Sequence, residues 1–318
     1  MSHAVETMFF VGELPWHGLG VKLDAAPTIG EAIGKAGLDW EVGMKDLQTV
    51  DGTPVPARAT YRTSDNRILG VVGPRYVPLQ NKKAFDWFQP FVDSGEVTLH
   101  TAGSLHEGEK VWVLAEIQKG HSEIVKGDEI AKFILLSNSH NGTTAIRVGF
   151  TPIRVVCANT LSMAHSDDAS KLIRIRHTES AAENLEKVRE VMNLVNQQFE
   201  ATAEQYRALA GRNFCQKDVL RYVNIMLGVE FESEDDISTR TKNIRTNILN
   251  RIEGEKQSLP GVKGTWWGAY NGYTEHLNYE AGRNRDSRLD KLWFNPENHA
   301  RKALKVALQL SGVTGDGN

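Results

Sequence analysis

The chain has 318 residues, 40% of them hydrophobic and 24% charged, enough apolar material for one large domain or two ordinary ones. Its net charge of −3 excludes a protein that coats duplex nucleic acid by charge alone. No run reaches the ~18 apolar residues of a membrane span, no basic segment leads an apolar one at the N-terminus, and Cys157 and Cys215 make no disulfide framework, so a reducing cytoplasm is the expected setting.

The first distinctive stretch is LPWHGLG, residues 14–20. Pro15 stiffens the entry, while Gly18 and Gly20 permit close backbone approach, so Trp16 reads as the anchor of an extended docking arm. His17 has no partner at metal-ligand spacing and is assigned to the same arm. The pocket that receives it belongs to this chain or to a neighbouring subunit. Residues 28–38 follow as a short helix: Thr28 and Glu31 form a capping box, Ile29, Ala32, Ile33 and Ala36 share a face, and Gly37 ends it.

From Trp40 the signals change to strands. Asp51-Gly52 marks a hairpin, and in PARATYR the residues Ala57, Ala59 and Tyr61 alternate with Arg58, Thr60 and Arg62. That period predicts the arginines on an exposed face and the small residues with Tyr61 inward. SDNR turns the chain into ILGVV, and NKKAFDWFQPFVDSG reads as one helix ending at Gly95. Charge is segregated here. Residues 1–56 carry eight acids against three lysines, whereas residues 57–83 carry six bases (Arg58, Arg62, Arg67, Arg75, Lys82, Lys83) against Asp65 alone. The two segments either neutralise each other or leave a basic track.

Two further hairpins are expected, in VTLHTAGSLHEGEKVWVLAEI and around Asn141-Gly142. Beyond Ser180 the pattern becomes helical, with a capping box at Ser180 and Glu183. An apolar seam then runs from Leu185 through Val188, Met192, Val195, Phe199, Ala203 and Tyr206 to Ala210. Shorter helices follow in QKDVLRYVNIML and TRTKNIRTNILNRIEG, separated by the acidic loop EFESEDD. The fold class is therefore α+β, a mainly antiparallel sheet with packed helices followed by a helical C-terminal half. Residues 1–170 form the sheet domain with its arm, residues 171–310 a helical region packed on it, and residues 311–318 a disordered tail.

Chemistry concentrates in two places. In SNSHNGTTAIRVGFTPIRVVCANTL, Cys157 with His140 would be a nucleophile and base, but Cys157 follows two valines where a buried inert thiol is common. Arg147 and Arg154 suit phosphate or carboxylate, and Asn138 and Asn159 hold turns or meet a ligand. In residues 264–296, Trp266, Trp267, Tyr270, Tyr273, Tyr279, Trp293 and Phe294 are interleaved with Arg283, Arg285 and Arg288. They form a stacking platform for single strands or a helix packed into a core. No phosphate-binding glycine loop or metal-ligand spacing occurs, so neither a cofactor nor a metal is expected.

PWHGLG, GVVGPRYVPLQNKKAFDWF, TAGSLHEGEKVWVLAEI, NSHNGTTAIRVGFTPIRVVCANTL and WWGAYNGYTEH together make the chain resemble the phage/plasmid-like family known as domain of unknown function 932. The His-Asn-Gly at 140–142 departs from that family's His-Asp-Gly and removes a carboxylate. More distantly the chain is similar to the single-strand annealing proteins, a likeness that implies a basic groove on the sheet and assembly into rings or filaments. The resulting expectation is a non-catalytic, homo-oligomeric protein of phage or plasmid DNA metabolism that binds single-stranded DNA in the host cytoplasm. Arg58, Arg62, Arg67, Arg75, Lys82 and Lys83 would hold phosphates, extended by Arg147 and Arg154, with Tyr61 or Tyr76 stacking on bases. The alternatives are a Cys157/His140 enzyme and a protein-interaction module that counters host defence through its helical half.

Overall fold

The strand signals of the first half assemble into two sheets, and the helical periodicities of the second half into a bundle packed on the larger one. The computed structural model of the chain describes residues 5–12, 20–118, 120–154, 159–160, 172–187, 192–281 and 299–313. The larger sheet runs β11 (Asn159–Thr160), β10 (Ile146–Arg154), β9 (Asp128–Ser139), β7 (Lys110–Ile117), β6 (Val97–Leu105), β1 (Val5–Val11), β2 (Val21–Leu23). β12 (Leu172–Ile175) also pairs with β10, and β8 (Ser122–Val125) with β9. Among the described residues, only the β1–β2 pair is parallel.

β9 is buried on both faces along almost its whole length, so its sequence is a continuous apolar run instead of an alternation. Ile134 and Leu136 face a core shared with Phe9, Leu99, Val113 and Ile146. Phe133 and Leu135 face the opposite one, with Met8, Phe10, Trp112 and Leu114. The first core is capped by α1 (Ile29–Lys35), α2 (Asn81–Asp86), α3 (Gln89–Asp93) and α4 (Ala181–Lys187). The Thr28/Glu31 capping box starts α1 as expected. The single helix expected over residues 81–95 is two, because Pro90 has no N–H for the carbonyl of Asp86 and its ring crowds that carbonyl.

The smaller sheet, β3 (Val42–Gln48), β4 (Pro54–Arg62) and β5 (Ile68–Val72), is antiparallel and stands against the end of the larger one. Here the expectation holds for Ala59, which is buried, and fails for Thr60, Arg62 and Tyr61. Thr60 and Arg62 point inward, Thr60 donating to the carbonyl of His140 at 2.7 Å, while Tyr61 lies on the outer face over Gly43. A side-chain period of two fixes that alternate residues part ways but not which set faces the core. Gly70 on β5 lets the sheets meet, since a Cβ there would sit 2.5 Å from the Cα of Asn141.

The helical half packs α5 (Met192–Ala210), α6 (Gln216–Leu227), α7 (Thr239–Ile252) and α9 (His299–Ser311) around α8 (Trp266–Tyr279). Nearly every residue of α8 is buried. Trp266, Trp267, Tyr270 and Tyr273 are core residues, stacked among Tyr206 and Tyr222 and reaching Ile130 and Phe150 of the sheet. The described part of the aromatic segment is thus core, and residues 282–298 lie outside the described residues. Its polar groups are satisfied internally: Asn271 and Asn278 donate to the carbonyls one turn back, and Trp267 donates to Asp128 at 2.8 Å. Among the described residues, no helix is long and apolar enough to cross a membrane.

Candidate binding site at the polar end of the sheet

Most of the bases between residues 57 and 83 are already neutralised. Arg58 pairs with Asp46, its cross-strand neighbour, at 3.1 Å. Arg62 is buried between Glu6 at 2.8 Å and Asp65 at 2.7 Å, with its guanidinium over the ring of Trp40. The Asp65 hydrogen bond raises its pKa, and the same bond pushes Asp65 down to about 2. Arg67 bridges Asp65 and Glu107, and Lys82 holds both oxygens of Asp86 at 2.8 Å. Only Arg75 and Lys83 of the six are exposed without an ion pair among the described residues. Asp46 and Glu6 of the acidic leader meet Arg58 and Arg62, while Asp65, Glu107 and Asp86 hold Arg67 and Lys82, so no continuous track lines β4. Tyr61 carries the ammonium of Lys45 4.1 Å from its ring centre.

A different constellation forms where the unstructured link from β5 to α2, residues 73–80, passes over the end of the large sheet. The Tyr76 hydroxyl donates to the carbonyl of Ser139 at 2.7 Å, and its ring stacks on His177 at 4.5 Å. Burial raises the pKa of that hydroxyl, and one face of the Tyr76 ring is taken by His177. The amide of Val77 donates to the carbonyl of His177, and Asn138 donates through Nδ2 to the carbonyl of Leu79. Asn81 donates to the carbonyl of Trp40 and accepts, on Oδ1, from His140 Nε2 at 2.9 Å.

That last bond fixes the tautomer of His140. With the proton on Nε2, Nδ1 is a bare acceptor, fully buried and without a hydrogen-bond partner. Burial, with a smaller contribution from His177, pushes its pKa down to about 3, and burial pushes His177 down to about 4. The side-chain oxygen of Asn138 is also buried without a partner, whereas the His177 ring meets the backbone of Thr144 and Val77. Each such orphan costs about 1–3 kcal/mol. As a general base for Cys157, His140 is poorly placed, since its proton-bearing nitrogen is committed and its bare one is sealed; Cys157 lies outside the described residues. Among the described residues, no group of three or more His, Cys, Asp or Glu is placed to hold a metal.

Arg147 is mostly buried on β10, directly across from Arg174 on β12; burial, then the charge of Arg174, lowers its pKa. Arg174 and Arg176 are exposed and, like Arg75, form no ion pair among the described residues. The Val77–His177 hydrogen bond ties the segment that carries Arg75 to the one that carries Arg176. Arg154 lies on β10 opposite Ile130, but its side chain is outside the described ones, as are Trp16 and His17 entirely. Sequence reading missed His177, Arg174, Arg176 and Asn81. The available signal was Arg174, Arg176 and His177 at alternate and adjacent positions of a strand end.

Asn141 organises the adjoining turn. Its Oδ1 accepts from Ser139 and from the backbone and hydroxyl of Thr143, and its Nδ2 donates to Glu109 at 2.7 Å. An aspartate would set a carboxylate against Glu109. The family model described as Domain of unknown function (DUF932) matches residues 68–293. The chain belongs to this family. The DUF932 match takes in the link, Asn138, His140, Arg147, Arg174 and His177, and leaves Glu6, Arg58, Arg62 and Arg67 outside it. No curated protein and no solved structure matches the chain.

Proposed function

We propose that this DUF932 protein binds single-stranded nucleic acid, without catalysing a reaction on it, at the β10–β12 end of the sheet and not along β4. The observation that carries the reading is the exposed Arg174 on β12, which forms no ion pair among the described residues. Arg75 and Arg176 stand exposed nearby with no ion-paired carboxylate among the described residues. Like charges gathered this way repel unless an anion joins them, and planar guanidiniums match phosphate oxygens. The wider form of the proposal is a homo-oligomer that anneals single strands in phage or plasmid DNA metabolism.

Fluorescence anisotropy with a labelled oligothymidylate tests it. Binding at low salt should weaken with a log–log slope of about −0.7 per phosphate contacted, so about −2 for the three exposed arginines. Replacing Arg75, Arg174 and Arg176 by alanine should weaken binding at least about tenfold and flatten that slope, while Arg58→Ala leaves it within about twofold. Absence of binding at low salt, or equal losses in both variants, would overturn the reading.

A further inference from the structure

Two buried polar atoms lie at one end of the large sheet with nothing to bond: Nδ1 of His140 and Oδ1 of Asn138. His140 and Asn138 are wholly buried, and His177 is 9% exposed. They point to a guest, because a buried polar atom without a partner is the exception in native proteins. The segment over them is unusual too. Residues 76–80 have no regular secondary structure, and Pro74 and Pro78 stiffen the segment. Tyr76, Val77, Leu79 and Asn81 bond it to the sheet end, Gln80 exchanges two bonds with the backbone of Val42, and the Leu79 side chain is buried in the core.

We infer that residues 74–81 form a lid over a latent site for an amino-bearing nucleobase, with Asn138, His140 and His177 as its polar floor. The inference rests on the binding reading above and names the part of the ligand which that reading leaves open. Both orphans, His140 Nδ1 and Asn138 Oδ1, only accept. Asn138 lies at the end of β9 and His140 just beyond it, two residues on along the chain. Such a pair suits the exocyclic amine of cytosine or adenine. Arg75, carried on the lid, and Arg176, next to His177, would hold the adjoining phosphate. When the lid lifts, the Val77–His177 bond breaks and the floor is exposed to solvent and ligand.

Hydrogen exchange of the full chain and nitrogen NMR of its imidazoles test this with three probes: oligodeoxycytidylate, an abasic oligomer of equal length, and free cytidine. The base-bearing probes should speed exchange in residues 74–81 and shift His140 Nδ1 upfield, as a lone pair does on accepting a hydrogen bond. The abasic oligomer should bind without either change. Tyr76→Phe, which removes one latch, should tighten cytidine about fivefold by populating the open lid. If both oligomers bind and the lid and His140 respond to no probe, the lid is lost and the binding reading stands. If neither oligomer binds yet cytidine moves the lid, the site stands without that reading. Weaker cytidine binding by Tyr76→Phe overturns the latch.

Discussion

Asn141 shows how much one atom decides at the residue scale. Asparagine and aspartate accept equally at Oδ1, so the bonds from Ser139 and Thr143 survive either residue. They differ at the other atom, where only asparagine donates to Glu109. Asn141→Asp should therefore destabilise the fold by about 1–3 kcal/mol at neutral pH, measured by chemical denaturation. Adding Glu109→Gln should recover most of the loss, since a glutamine amide donates to the new carboxylate. Glu275 poses a similar case: its buried carboxylate is met by Gln257 at 3.0 Å and Arg251 at 2.8 Å. Glu275→Leu should cost about 1–3 kcal/mol by the same measurement, because the buried Gln257 amide loses this acceptor while Arg251 keeps its bonds to Glu280.

At the scale of elements, close approach sets the constraints. α7 and α8 cross where Gly272 lies, and a Cβ there would stand 2.5 Å from the Cα of Ile252. The contact is backbone, so no side chain can swing aside. Gly272→Ala should lower stability by about 1–3 kcal/mol, read as a fall in melting temperature. Gly30, also within a helix, has open space around it, with nothing within 4 Å of where a Cβ would stand. Gly30→Ala should raise stability by about 0.5–1 kcal/mol, since alanine loses less backbone freedom than glycine. The contrast separates packing from propensity, because both changes add one methyl to a helix.

For the molecule as a whole, the two sealed imidazoles link stability to pH. An unfolded histidine titrates near 6.5, whereas His140 and His177 are held at about 3 and about 4 in the fold. Below 6.5 the unfolded chain takes up protons that the native chain refuses, so stability present above that pH is lost as pH falls toward 4. The slope should reach about 1.4 kcal/mol per pH unit for each histidine, checked by denaturant midpoints between neutral and mildly acidic pH. His100, also lowered by burial, adds in the same direction, while His121, raised chiefly by its bond to Glu116, opposes it. A flat profile between pH 6.5 and 4 would show that these rings meet solvent.

The sequence by itself determined the local decisions, because their causes are local. The Thr28/Glu31 cap, the hairpins at Asp51-Gly52 and Asn141-Gly142, the helices α6 and α7, and the α+β class all follow from neighbours along the chain. The first strand escaped notice because MFFV is buried on both faces and so shows no alternation. Tertiary structure alone decided what long-range partners do. Arg62 reads as an exposed phosphate ligand until Glu6, 56 residues away, is placed against it. His140 reads as a base until Asn81 claims its proton and burial removes the water that would protonate it. Charge and polarity are written in the sequence, but whether a charged group faces solvent, a counter-ion or an empty site depends on segments that meet only in the fold.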